Sequence, residues 1–174
     1  MYQLRELERH DLTTITTWRN QPELIAQLGA TFRYINPEVD SRWFDSYMAN
    51  RATCVRCAIV AEDDREQILG LVSLTNIDHL NQSAVLHIMI GDTAHQGKGM
   101  GTFAVKAMMD HAFRNLNLHR VELKALTSNE RARHVYEKVG FVREGILRKA
   151  VYKNGEFVDL YVYSLLREEY LAQQ

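Results

Sequence analysis

Cysteine is scarce: two residues in 174. That excludes a disulfide-stapled scaffold and a four-thiolate zinc site. The pair, Cys54 and Cys57, has the C-x-x-C spacing, but "TCVRCAIVA" reads as a strand, where side chains three apart face opposite ways. Two reduced thiols without a chemical role are expected, and no metal. An excess of one charge is missing too. Lysine and arginine total 21 against 22 aspartate and glutamate, so no basic field argues for nucleic acid or an anionic membrane. No apolar run approaches the roughly 20 residues of a membrane span. The opening "MYQLRELERHD" is charged too early for a secretory signal. Repeats, low-complexity tracts and linkers are also lacking. What remains is an ordinary globule, 46% apolar and 25% charged, most simply one cytoplasmic domain over residues 1–174.

The elements can be read in order. A strand is expected near residues 3–7, then a helix capped by Asp11 that carries Leu12, Ile15 and Trp18. Pro22 suits the first turn of a short helix that Gly29 can end. Asn36 and Pro37 start another, with Val39, Trp43, Phe44, Tyr47 and Met48 on one stripe. Strands over 54–61 and 68–75 flank the turn "EDDREQ". The segment 84–90, "AVLHIMI", is apolar on both pleat faces except at His87, as a doubly covered central strand would be. A helix follows, with Phe103, Ala104, Ala107, Met108 and Ala112 on its stripe. "RVELKAL" alternates as a strand. Ser128 can cap a helix ended by Gly140. Two strands joined at Asn154-Gly155 close the chain. The expected class is α/β: a single mixed, mostly antiparallel sheet flanked by helices.

Between the central strand and its helix lies "HQGKGMGTFAV", with Gly97, Gly99 and Gly101 alternating. Two phosphate motifs come close and fail. The P-loop needs four residues between its first glycine and Gly-Lys, then Ser or Thr; Gly91 to Gly97 leaves five, and Gly99 stands where the hydroxyl should be. The dinucleotide fingerprint needs a third glycine at the position of Thr102. Even so, a strand enters the loop and a helix leaves it. Free N–H groups therefore sit at the positive end of a helix dipole, with no side chains to obstruct an oxyanion. The loop is expected to hold a pyrophosphate, with Lys98 as an outer charge.

"HQGKGMG" resembles the acyl-CoA signature Q/R-x-x-G-x-G/A of the GNAT acetyltransferase superfamily, with Gln96, Gly99 and Gly101 in its fixed positions. "NERARHVYEKVGF" is similar to that superfamily's N-x-x-A-x-x-x-Y-x-x-x-G-F segment, filled by Asn129, Ala132, Tyr136, Gly140 and Phe141. The resemblance is strong over 82–166 and weaker at the start, where residues of about 11–49 would wall the acceptor site. It implies acetyl-CoA as cosubstrate and a small-molecule amine as acceptor, of the polyamine or amino sugar type. Backbone of Ile88, Met89 and Ile90 would bind the pantetheine arm. Amides of the loop (His95, Gln96, Gly97, Lys98, Gly99, Met100, Gly101 and Thr102) would hold the pyrophosphate. Asn129 would face the cofactor arm, Arg131 would reach its phosphates, and Tyr136 would stand beside the thioester sulfur. A homo-oligomer is compatible with it. Acetylation of a ribosomal-protein N-terminus, or a CoA-binding domain without transfer, stays open.

Transfer needs an acid and a base. A phenol can protonate the departing thiolate, which would make Tyr136 catalytic, although its helix stripe equally suits the core. Many relatives carry a glutamate on the central strand; here that position is Val85. His87 is the ionisable side chain left on that strand, and histidine titrates near neutrality. Its alternatives are a merely packed histidine and a water chain as the base.

Overall fold

A computed structural model describes residues 1–95 and 97–173. Gln96, one of the expected phosphate-loop positions, lies outside the described residues. Strand β1 (Tyr2–Glu6) leads to helices α1 (Leu12–Arg19), α2 (Pro22–Ala26) and α3 (Pro37–Ala49). Strands β2 (Val55–Ala61), β3 (Asp64–Asp78) and β4 (Ser83–Ile90) follow. After the glycine loop come α4 (Met100–Asp110), β5 (Arg120–Leu126), α5 (Glu130–Val139), β6 (Val142–Lys153), β7 (Glu156–Leu166) and α6 (Arg167–Leu171). The strands form one sheet in the order β1-β2-β3-β4-β5-β7-β6. Every neighbouring pair is antiparallel except β4 with β5, so the expected mixed, mostly antiparallel sheet is what forms.

Each face of the sheet has its own core. On one, Met100, Ala104 and Met108 of α4 and Val139 of α5 meet Val72, Leu86, Val121 and Leu123. On the other, Ile15, Trp18, Phe44 and Tyr47 of α1 and α3 cover Ala58, Val60 and Ile68. The parallel seam is short. Ser83, Ala84 and Val85 pair with Arg120, Val121 and Glu122, and pairing stops there although both strands continue. The sheet is therefore parted between the ends of β4 and β5.

Local expectations hold where a backbone preference dictates them and shift where packing intervenes. Asn36 caps α3 by accepting the Val39 N–H at 3.2 Å, with Pro37 in the first turn. Asn154 (φ 49) and Gly155 (φ 90) make the left-handed pair that a tight hairpin needs. Asp11, however, does not cap α1: its buried carboxylate accepts two bonds from Arg5, at 2.8 and 2.7 Å, and one from the Glu8 N–H. The α3 stripe is rotated. Asp40, Phe44 and Tyr47 turn inward, while Val39 and Met48 are exposed. Buried Asp40 is matched by Thr16, whose hydroxyl donates at 2.6 Å, and by Arg19, which is how a charge survives in a core. Gly29 lies beyond the end of α2 at Ala26, and Asn129 caps α5 in place of Ser128.

Candidate active site

Gly97 (φ 79) and Gly99 (φ 83) are left-handed, a conformation costly to any residue with a Cβ. An added Cβ at either would meet nothing within 4 Å. Conformation requires these glycines, and they leave bare backbone facing open space. Gly99 precedes α4 and accepts the Phe103 N–H at 2.9 Å, the first bond of that helix. The amides of residues 100–102 come before that bond and have no place in the helical ladder. Met100 anchors the turn with a buried side chain. Gly101 differs from the other two: its Cβ would lie 3.6 Å from Val135 of α5, in ordinary contact. His95 Nδ1 is 3.0 Å from the Asp92 carboxylate, and its ring meets Tyr2 edge-on. Lys98 is exposed and is not among the residues lining the cleft described below.

The open edge of β4 follows from its ladder. Gly91 N–H donates to Leu69 O at 3.2 Å. Alternation in an antiparallel pair then directs the N–H and C=O of Met89 and His87 toward β3. Those of Ile88 and Ile90 point the other way, into the parting. Of the three residues expected to bind pantetheine through backbone, Ile88 and Ile90 thus have free groups on that edge, and the Met89 groups are spent within the sheet.

The parting opens into a cleft of about 990 Å³ that runs through the sheet. His87, Ile88, Met89 and Ile90, the described loop glycines, Asn129, Arg131 and Tyr136 all line it. Tyr136 is placed where either reading remains open. Its ring is 7% exposed, packed against Phe141 and Tyr163 at 6.0 and 6.1 Å between centroids, and also forms cleft wall. Burial pushes its phenol up to about 12. His87 stands opposite Ser73 in the β3 register, and its Nε2 is 3.0 Å from Thr75 Oγ1. Burial, with Arg56 nearby, pulls its imidazole below the ordinary value, so it is neutral at pH 7. Asn129, besides lining the cleft, has a structural job. Its oxygen accepts the Ala132 N–H at 3.1 Å, and its amide donates to Gln27 O at 2.9 Å, joining α5 to the end of α2.

Arg19 and Trp43, within the stretch expected to wall the acceptor site, also line the cleft, as do Arg56, Ser73 and Lys124, which motif reading missed. Arg56, Ser73 and His87 form one cross-strand row on β2, β3 and β4. Alternation along each strand was visible in the sequence. The register that aligns the three strands was not, since it depends on where each turn sits. Cys54 is buried just before β2 and Cys57 lies within it. Burial pushes both thiols up, Cys57 to about 11, as expected of unreactive cysteines.

A family model, the acetyltransferase (GNAT) domain, matches residues 2–142. The chain belongs to the GNAT acetyltransferase family. This GNAT protein is an acyltransferase of the N-acetyltransferase type. It is 31% identical to the spermidine N(1)-acetyltransferase of Vibrio cholerae over 97% of this chain and 94% of that one. It is 39% identical to a putative ribosomal N-acetyltransferase of Bacillus subtilis, over 62% of this chain and 58% of the other. The crystal structure of the Vibrio cholerae enzyme with CoA and spermine superposes with a TM-score of 0.89, at 30% identity, covering 98% of both chains. A dodecameric structure of that enzyme gives 0.84 at 27% identity, covering 99% of this chain and 98% of that one.

Proposed function

We propose that the chain transfers the acetyl group of acetyl-CoA to the primary amine of a small molecule, with the donor in the parted sheet. The observation that carries this is the coincidence, in one cleft, of a glycine loop at a helix start and an open strand edge one residue from an ionisable side chain. The fit to a CoA moiety rests on chemistry. Amides of residues 100–102 suit a pyrophosphate, Ile88 and Ile90 offer backbone to an amide-bearing arm as an added strand would, and Arg131 suits phosphate. Acetyl-CoA supplies an activated acyl group.

The chain's own groups do the rest. Tyr136 directs a protonated hydroxyl at the sulfur as it gathers negative charge. His87, neutral at pH 7, takes the proton that the attacking amine must lose. The Ile88 N–H, turned into the parting, steadies the carbonyl oxygen as it becomes an oxyanion. The relatives put a polyamine or similar small amine first; likeness to the ribosomal enzyme over part of the chain supports a protein N-terminus as the second reading. Release of CoA thiol from acetyl-CoA across polyamines, amino sugars, amino acids and N-terminal peptides tests both. A small amine turning over fastest supports the first reading, and peptides alone turning over would replace it with the second.

Self-association belongs to the same proposal. The edge strand β6 exposes Val142, Ile146 and Leu147, an apolar edge of the kind that monomers cover. Ile146→Glu should lower the sedimenting mass; an unchanged mass would remove β6 from the interface.

A further inference from the structure

On its α1–α3 side the cleft presents one kind of charge. Arg19, Arg56 and Lys124 line it there, beside the neutral His87. Among the described residues the carboxylate lining the cleft is Glu130, in the first turn of α5 beside the end of α2. Arg19 is answered by Asp40. Arg56 is not: no described carboxylate lies within ion-pair distance of it, while its guanidinium stacks on Trp43 at 4.4 Å and one nitrogen reaches Ser73 Oγ at 3.3 Å. Its Nε is buried without a hydrogen-bond partner. A half-buried guanidinium without a counter-ion among the described residues is an expensive feature, and a ligand in the cleft can relieve it through the terminal nitrogens. Its planar fork matches a carboxylate or phosphate bidentately.

From this we infer that the acceptor is a compact primary amine that also carries an oxyanion, carboxylate or phosphate, and that Arg56 binds the oxyanion. The inference rests on the acetyl-transfer reading above. The row Arg56–Ser73–His87 crosses two strand spacings, about 10 Å of sheet, and the arginine side chain covers part of it. An oxyanion held by Arg56 therefore leaves the amine of a small molecule near His87 and the open edge at Ile88. A long polycation on the same path would bring a second ammonium against an unanswered guanidinium.

The test is kcat/KM by CoA release on the full chain with matched acceptors: α-amino acids against their carboxamides, glucosamine 6-phosphate against glucosamine, and spermidine. The oxyanion member of at least one pair should exceed its neutral partner by at least about tenfold and should exceed spermidine. Which pair responds separates carboxylate from phosphate. Arg56→Met should erase that preference through KM, leaving the KM for acetyl-CoA unchanged, and Arg56→Lys should retain part of it. Because the matched pairs are compared on the wild-type chain, the test stands even if a variant fails to fold. Equal rates within every pair, a preference for spermidine, or no turnover of any oxyanion-bearing amine would overturn the inference while calorimetric binding of acetyl-CoA left the transfer reading intact. No acetyl-CoA binding would remove both.

Discussion

Tyr136 occupies a position where core packing and chemistry make separate demands on one side chain. The ring answers the first by packing on Phe141 and Tyr163. The hydroxyl has no hydrogen-bond partner among the described residues, so removing it breaks no internal bond. Tyr136→Phe should therefore keep thermal stability within about 0.5 kcal/mol. At about 12, the phenol holds its proton more tightly than a thiol of about 8.5. It works by hydrogen-bonding the nascent thiolate more than by complete transfer, which places the loss in kcat near the low end of acid catalysis, about 10²-fold. Acetyl-CoA affinity, by calorimetry, should hardly change; full activity in the variant would end the assignment. His87 is tested through pH. The fold lowers its pKa from the ordinary 6.5, so the neutral base prevails at neutral pH and is lost only as pH falls through the lowered value. The rate should fall on the acid side of about 6.5, and His87→Ala should flatten that limb. The same shift makes His87 a source of stability that is full above about 6.5 and fades as pH falls through the folded value. An unaltered rate profile in the variant would assign the base to solvent.

At the scale of elements, the glycine loop and α4 act as a unit. Gly99 is left-handed immediately before the helix, so Gly99→Val strains the turn by about 1–2 kcal/mol and moves the amides of residues 100–102. Acetyl-CoA affinity should drop at least about tenfold, or 1.4 kcal/mol. Circular dichroism should still show a folded chain; unchanged affinity in that folded variant would take the loop out of the site. This element was legible because conformation, not packing, selects its residues: alternating glycines after a strand admit few geometries. The hairpin at Asn154-Gly155 was legible for the same reason. The rotation of helix α3 was not, since Trp43, Phe44 and Tyr47 permit more than one setting about the axis. The choice was made by Asp40, whose partners Thr16 and Arg19 come from another helix. Asn129 illustrates the same limit: the segment located it, but its bond to Gln27, 102 residues away, arises only in the fold.

Across the whole molecule, two blocks of sheet, β1 to β4 and β5 with β7 and β6, meet at a seam of three residue pairs. Sequence pattern identified both flanking strands, yet both read as continuous strands, so nothing in either marked where their pairing would stop. The parting leaves Ile88 and Ile90 with backbone groups that no strand answers, and a CoA arm lying there would act as the missing strand. Binding should then stabilise the seam as well as the loop. At a concentration of 100 times Kd, acetyl-CoA should add about 2.7 kcal/mol, raising the melting temperature by roughly 5–10 °C for a chain of this size. Hydrogen exchange read residue by residue locates the effect. The amides of Ile88 and Ile90 should exchange readily in the free protein and slow on binding. Met89, whose amide already serves β3, should be slow in both states. Protection confined to the loop at residues 97–102 would mean that the phosphates bind and the arm does not enter the sheet. The same protection pattern at Met89 as at its neighbours would show that the ladder register, and with it the open edge, is assigned wrongly.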